Sequence, residues 1–253
     1  MENAQLISLS RQIALQRQMD VVANNMANIN TAGYKNVDIL FEEYIMPTAR
    51  HKDFKTLDQP LSFTQDWATI DDFASGSIEL TGNELDMAIQ GDGFFQILQP
   101  DGTLAYTRDG AFQSDINGQL VTSSGFVLQP AITIPPNTRS ITIGRDGTVS
   151  VVVPGSEAPV QVGNMQLASF INPAGLQKVG ENLYLQTASS GVANQNAPGT
   201  NGMGILNQGF VETSNVNVVE ELVNMIETQR AYEVNSKMIS ATDDMLQFVN
   251  QQI

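Results

Sequence analysis

The apolar positions form helical stripes at both ends of the chain and short runs between turns in the long middle. From Glu2 to about Ile29 there is no Gly or Pro, and Leu15, Met19, Val22, Met26 and Ile29 recur at spacings of 4, 3, 4 and 3. That is the a/d spacing of a helix seam. Leu6, Leu9 and Ile13 make a second short stripe, out of register with the first. Poor helix formers crowd Asn24 to Thr31, so the helix is expected to fray there, with Gly33 as a stop. At the other end, Asn217 can cap a helix, and Glu220 stands three residues on, as in a capping box. Val218, Met225, Tyr232, Ile239, Leu246 and Ile253 then fall at intervals of seven, with Val234, Met238, Ala241, Met245 and Phe248 beside them. So wide an apolar arc exceeds the seam of a two-stranded coil and predicts more than one neighbour. The N-terminal helix can cover part of it. Other copies of the chain are expected to cover the rest.

Between about 75 and 210 the pattern changes to short β-prone runs such as Phe94–Leu98, Ser140–Ile143, Thr148–Val153 and Met165–Ile171. Turn chemistry separates them: Pro100-Asp101-Gly102, Ile116-Asn117-Gly118, Ser123-Ser124-Gly125 and Arg145-Asp146-Gly147. Intervals of about 8–12 residues predict an antiparallel sandwich or barrel and no βαβ sheet. The fold class expected is therefore α+β, with terminal helices pairing as a coiled coil and an antiparallel all-β domain inserted between them. The segments are 1–35 (helix), 36–75 (irregular acidic connector), 76–186 (β domain), 187–210 (Gly-rich return linker) and 211–253 (helix).

The 253 residues give ample chain for a core. Twelve Lys+Arg against 27 Asp+Glu leave a net charge of −15, which argues against a nucleic-acid partner. The charge is uneven. Residues 1–35 carry +1, 36–100 carry −9, 101–210 carry −2 and 211–253 carry −5. The acidic stretch reads as a solvated surface, or as a face for a basic partner protein. With no Cys and a single His, His51, neither disulfides, thiol chemistry nor a protein zinc site is expected, and no cofactor is implied. Gly91-Asp92-Gly93 lacks the full calcium-loop spacing, and no phosphate-binding loop or nucleophile elbow occurs. An acid follows Met1 where a signal peptide wants positive charge, and no apolar run reaches the length of a membrane span. These readings predict a non-enzymatic chain without membrane insertion.

Asn24-Asn25-Met26-Ala27-Asn28-Ile29-Asn30-Thr31-Ala32-Gly33-Tyr34 resembles the N-terminal signature of the bacterial flagellar rod and hook axial family. The stretch Gly209-Phe210-Val211-Glu212-Thr213-Ser214-Asn215 through Glu220-Glu221-Leu222 resembles its C-terminal counterpart. Gly91-Asp92-Gly93-Phe94-Phe95 and Tyr106-Thr107-Arg108-Asp109-Gly110 are similar to its central motifs. Residues from about 98 onward look like the distal rod type, and 1–97 like the proximal rod type. The insertion usual in the distal type is missing near 46–63.

The resemblance implies a structural subunit of the basal-body rod that stacks helically into a hollow drive shaft, transmits torque to the hook and provides the export channel. It implies passage through the flagellar type III export apparatus without a cleaved signal peptide. The implied partners are copies of itself, other rod and hook proteins, and the rings around the rod. The terminal helices would line the inner tube. The expected assembly contacts are Leu15, Met19, Val22, Met26 and Ile29 with Val218, Leu222, Met225, Tyr232, Met238, Ile239, Met245, Leu246 and Phe248. Asn24, Asn25, Asn28, Asn30, Thr31, Gly33, Ser214, Asn215 and Glu220 carry the family signature. A rival reading of another class is a β domain that binds or cleaves peptidoglycan, with helical oligomerisation ends.

Overall fold

The computed structural model describes residues 2–45, 62–155 and 158–251, with the side chains of 7–42, 68–155, 158–242 and 244–245. Its elements are an N-terminal helix α1 (Glu2–Ala27), a C-terminal helix α2 (Val218–Gln251) and many short antiparallel strands between them. The α+β class therefore holds. The chain forms two compact units, one of residues 1–27, 37–71 and 216–253, the other of 28–36 and 72–215.

In the helical unit, α1 and α2 lie against each other and run antiparallel. Asn235 Nδ2 donates to the Ser8 carbonyl at 2.8 Å, and Gln12 Nε2 donates to the Tyr232 hydroxyl at 2.9 Å. Asn25, further along α1, bonds Glu221, earlier on α2. Helix α1 ends at Ala27, within the Asn-rich stretch expected to fray. Asn217 caps α2, its Oδ1 accepting the Val219 N–H at 3.1 Å.

The same unit holds two long strands, β1 (Val37–Ile45) and β2 (Ser62–Asp71), paired from Val37↔Asp71 to Ile45↔Ser62 with a bulge between Leu40 and Phe41. The expectation of an irregular connector over 36–75 is thus corrected for its described residues. Val37, Ile39 and Phe41 alternate with Asp38, Leu40 and Glu42, and the long-range partner strand supplies the regularity that the acids concealed. Residues 46–61, including His51 and most of the region of the missing insertion, lie outside the described residues.

The β unit is built on a seven-stranded antiparallel sheet. Its order is Gln177–Gly180, Leu183–Leu185, Leu104–Thr107, Phe95–Leu98, Val127–Gln129, Leu120–Thr122, Phe112–Ser114. A three-stranded sheet (Ser140–Ile143, Thr148–Val152, Val160–Asn164) and three two-stranded pairs complete it. One core gathers Met87, Ile89, Phe95, Ile97, Phe112, Leu120, Val149 and Leu167. A second is aromatic: Phe94 meets Phe73 and Phe170 edge-to-face, and Tyr106 meets Phe170 at 4.8 Å between ring centres.

The turn residues act as their chemistry predicts. Gly118 has φ 80°, and a Cβ there would lie 2.3 Å from the Ile134 carbonyl. Asp115 Oδ1 accepts the N–H groups of Asn117 and Gln119, which hold its carboxyl below the ordinary range.

The 187–210 segment is a second correction, since it is no free linker. Asn194–Asn196 pairs with Leu167–Ser169, and Ile205–Gln208 pairs with Met87–Gln90. Its small residues serve close approach: a Cβ on Gly204 would lie 2.6 Å from the Gln90 carbonyl.

Candidate functional site

The signature motifs converge on a buried charge cluster within the β unit. Lys35, just past the first signature, is 0% exposed, Arg108 of the Tyr-Thr-Arg-Asp-Gly motif 3%, and Glu212 of the second signature 1%. Lys35 Nζ donates to Glu212 Oε1 at 2.6 Å and to the Ala74 carbonyl at 2.7 Å. Arg108 Nε lies 3.0 Å from Glu212 Oε2, and its Nη1 donates to the carbonyls of Gly91 and Gly93 at 2.9 and 2.6 Å. The Gly76 N–H adds a bond to Glu212 Oε1 at 2.9 Å. Burial lowers the Lys35 pKa, Glu212 opposes that by charge and hydrogen bond, and Arg108 adds to the lowering. Two cations share one anion in a desolvated interior, so the carboxylate is the member whose loss is least tolerable.

Around this cluster Gly33 and Asn215 bond the backbone of neighbouring segments. The Gly33 N–H donates to the Glu212 carbonyl at 2.8 Å. Gly33 has φ 67°, and a Cβ there would lie 2.4 Å from the Asp109 nitrogen, so only glycine fits. Asn215 Oδ1 accepts the Asn36 N–H at 2.7 Å, while its Nδ2 donates to the carbonyls of Asp72 and Ala74. Asn28 Oδ1 accepts from the Thr31 hydroxyl at 3.2 Å. Tyr34 is buried, with Lys178 Nζ 4.4 Å from its ring centre. Asn30 is exposed and Ser214 half-buried.

Two signature asparagines belong to the helical unit instead. Asn25 is buried and clasps the start of β1, its Nδ2 donating to the Val37 carbonyl at 3.0 Å and its Oδ1 accepting the Val37 N–H at 3.1 Å. Asn24 is exposed, its Nδ2 donating to the Asp20 carbonyl.

The expected assembly residues separate by exposure. Val22 is buried, and Leu15, Met19, Met26 and Ile29 are half-buried. On α2, Met225, Tyr232 and Ile239 are half-buried, whereas Val218, Leu222, Met238 and Met245 are exposed. The side chains of Leu246 and Phe248 lie outside the described residues. The buried line of α2 is polar: Glu221, Thr228 and Asn235, seven apart. Val219, Val223, Ile226 and Val234 join the exposed set, Val219 at 70% and Val234 at 63%. At 100° per residue these exposed apolar side chains cover roughly 200° of the helix circumference. Glu220 is exposed on the first turn, and its neighbour Glu221 is the buried one.

Sequence reasoning missed Lys35, Arg108, Glu212 and Glu221 as a set of buried charges. All four stood in or beside the family motifs, and the clearest signal was Glu212, a charge closing the short strand Phe210–Glu212 just after Gly209. Among the described residues, no three His, Asp or Glu side chains converge as a metal site requires. No helix among them is long and apolar enough to cross a membrane. The arrangement can lock segments together and present an apolar face.

Comparison with known proteins gives three family matches. Residues 6–35 match "Flagella basal body rod protein", 88–151 match "Flagellar hook protein FlgE/F/G D1 domain", and 207–252 match "Flagellar basal body rod FlgEFG protein C-terminal". The chain is 48% identical over 246 residues to the flagellar basal-body rod protein FlgG of Buchnera aphidicola subsp. Schizaphis graminum, covering 94% of this chain and 95% of the relative. It is 44% identical over 247 residues to the FlgG of Borreliella burgdorferi, covering 94% of this chain and 93% of the relative. It is 38% identical over 251 residues to the flagellar basal-body rod protein FlgF of Caulobacter vibrioides, covering 97% and 95%. The alignments to the FlgG relatives thus extend well before residue 98.

Proposed function

From the premise that the chain belongs to the flagellar basal-body rod protein family, as a structural rod subunit of the FlgG/FlgF type, we propose that its helical unit drives assembly. Copies stack helically through α1 and α2 into a hollow shaft that carries torque from motor to hook and leaves a channel for export. The helices pair as a coiled coil lining the inner tube. The subunit's neighbours are its own copies, other rod and hook proteins and the surrounding rings, after delivery by the type III export apparatus to the periplasm-spanning rod. The name of the family points to the rod and gives no support to binding or cleavage of peptidoglycan.

The observation that carries this reading is the exposed apolar arc of α2. Helices in water turn their apolar side inward. Here the fully buried line of α2 is polar, flanked by half-buried Met225, Tyr232 and Ile239, and Val219, Leu222, Val223, Ile226, Val234 and Met238 face out. Each such side chain, once covered, contributes up to about 1.5–3 kcal/mol before ordering entropy is deducted. Repeated along a tube, these contacts build a stiff lattice without chemistry. Replacing Ile226 or Val223 with Asp is expected to abolish tubes seen by electron microscopy of concentrated protein, and motility with them, while the β unit keeps its hydrogen-exchange protection. Normal rods from both variants would overturn the reading.

A further inference from the structure

We propose that Glu221 is a proton-binding site inside the helical unit, a buried carboxyl whose ionisation opposes the packing of α2 against α1 and β1. Glu221 sits on the first turn of α2 and is 5% exposed. With Gln18 and Asn25 of α1, Asp38 of β1 and Asn224 of α2, it lines a cavity of about 100 Å³. Its Oε2 is buried without a hydrogen-bond partner, while Asn25 bonds the carboxyl. Among the described residues, the charged groups acting on it are both acids: Asp38 from β1 and Glu220 on its own helix. Arg17 and Asp20 of α1 line a separate groove beside Ile39.

An ionised carboxylate in this place has given up water for one amide bond and faces like charge. Burial above all, and then Asp38 and Glu220, raise its pKa above the ordinary 4.5, against the lowering bond from Asn25. A proton on the carboxyl removes both the desolvated charge and the repulsion from Asp38. The folded unit therefore binds this proton more tightly than the unfolded chain does. Its stability is highest in acid and falls as pH rises from the unfolded value through the raised folded one. The proposal stands on the interior of the helical unit and is independent of rod assembly.

The test is a pH titration of the full chain with ¹³C-labelled glutamate carboxyls, read together with hydrogen-exchange protection factors over the first turns of α2. One glutamate resonance is expected to titrate above the others, to be absent in Glu221→Gln and to move down in Asp38→Asn. Protection in the wild type should fall as pH rises through that range, whereas Glu221→Gln should keep it, several-fold above wild type at neutral pH. Glutamates that all titrate together, or equal pH dependence in wild type and Glu221→Gln, would overturn the proposal. So would added calcium raising protection at neutral pH in the wild type alone, since the occupant would then be a metal ion.

Discussion

Glu212 shows how one side chain gathers distant chemistry. Its carboxylate bonds both Lys35 and Arg108, all three desolvated. Removing a partner from a buried ion pair is strongly destabilising because the remaining charge stays in the interior. Of these three charges two are positive, so deleting the anion and deleting a cation are unequal. Glu212→Leu leaves two buried cations and is expected to cost the β unit about 3–5 kcal/mol. Lys35→Met leaves a balanced Glu212–Arg108 pair and should cost clearly less. Denaturant midpoints of the two variants, followed through the tyrosine signals of Tyr106 and Tyr184, check the order, and equal losses would contradict it. Gly33 is constrained by shape. An alanine there meets both a left-handed backbone and the Asp109 nitrogen, so Gly33→Ala should cost about 2–4 kcal/mol. Faster hydrogen exchange confined to 28–36 and 209–215 would be its mark.

At the scale of elements, what could be read from the chain depended on how local the cause was. The terminal helices and the Asp-Gly and Asn-Gly turns were readable because periodicity, caps and left-handed glycines act within a few residues. β1 and β2 were not, since Val37 and Asp71 become strand residues only by pairing across a long interval. Asn194–Asn196 looked like linker because its small polar side chains carry no strand pattern, and its order comes from Leu167–Ser169. For α2 the apolar width was readable but its direction was not. Periodicity says that a face exists and does not say which neighbour takes it. The intramolecular neighbour takes Glu221, Thr228 and Asn235, a polar line that fixes how α2 lies on α1 through bonds such as Asn235 to Ser8. The buried charge cluster was the least readable part. Lys35 and Glu212 are 177 residues apart, and each alone looks like an ordinary surface charge until the sheet brings them together.

At the scale of the whole molecule, apolar attraction must overcome charge. Each copy carries −15, with −9 concentrated between 36 and 100, so stacking of copies works against like-charge repulsion. Such repulsion between exposed groups is screened beyond about 10 Å at 0.1 M salt and reaches about 30 Å at 0.01 M. The apolar contacts proposed for α2 gain little or nothing from low salt, because burial of apolar surface does not depend on Coulomb attraction. The two terms therefore respond to salt in opposite senses to an assembly held by ion pairs. If hydrophobic helix faces drive stacking, the concentration at which light scattering first reports polymer should fall several-fold between 10 and 300 mM sodium chloride. The Ile226→Asp chain should stay unassembled at both. A threshold that rises with salt would mean that opposite charges on neighbouring copies, and not the outward row of valines, leucine and isoleucine on α2, hold the subunits together.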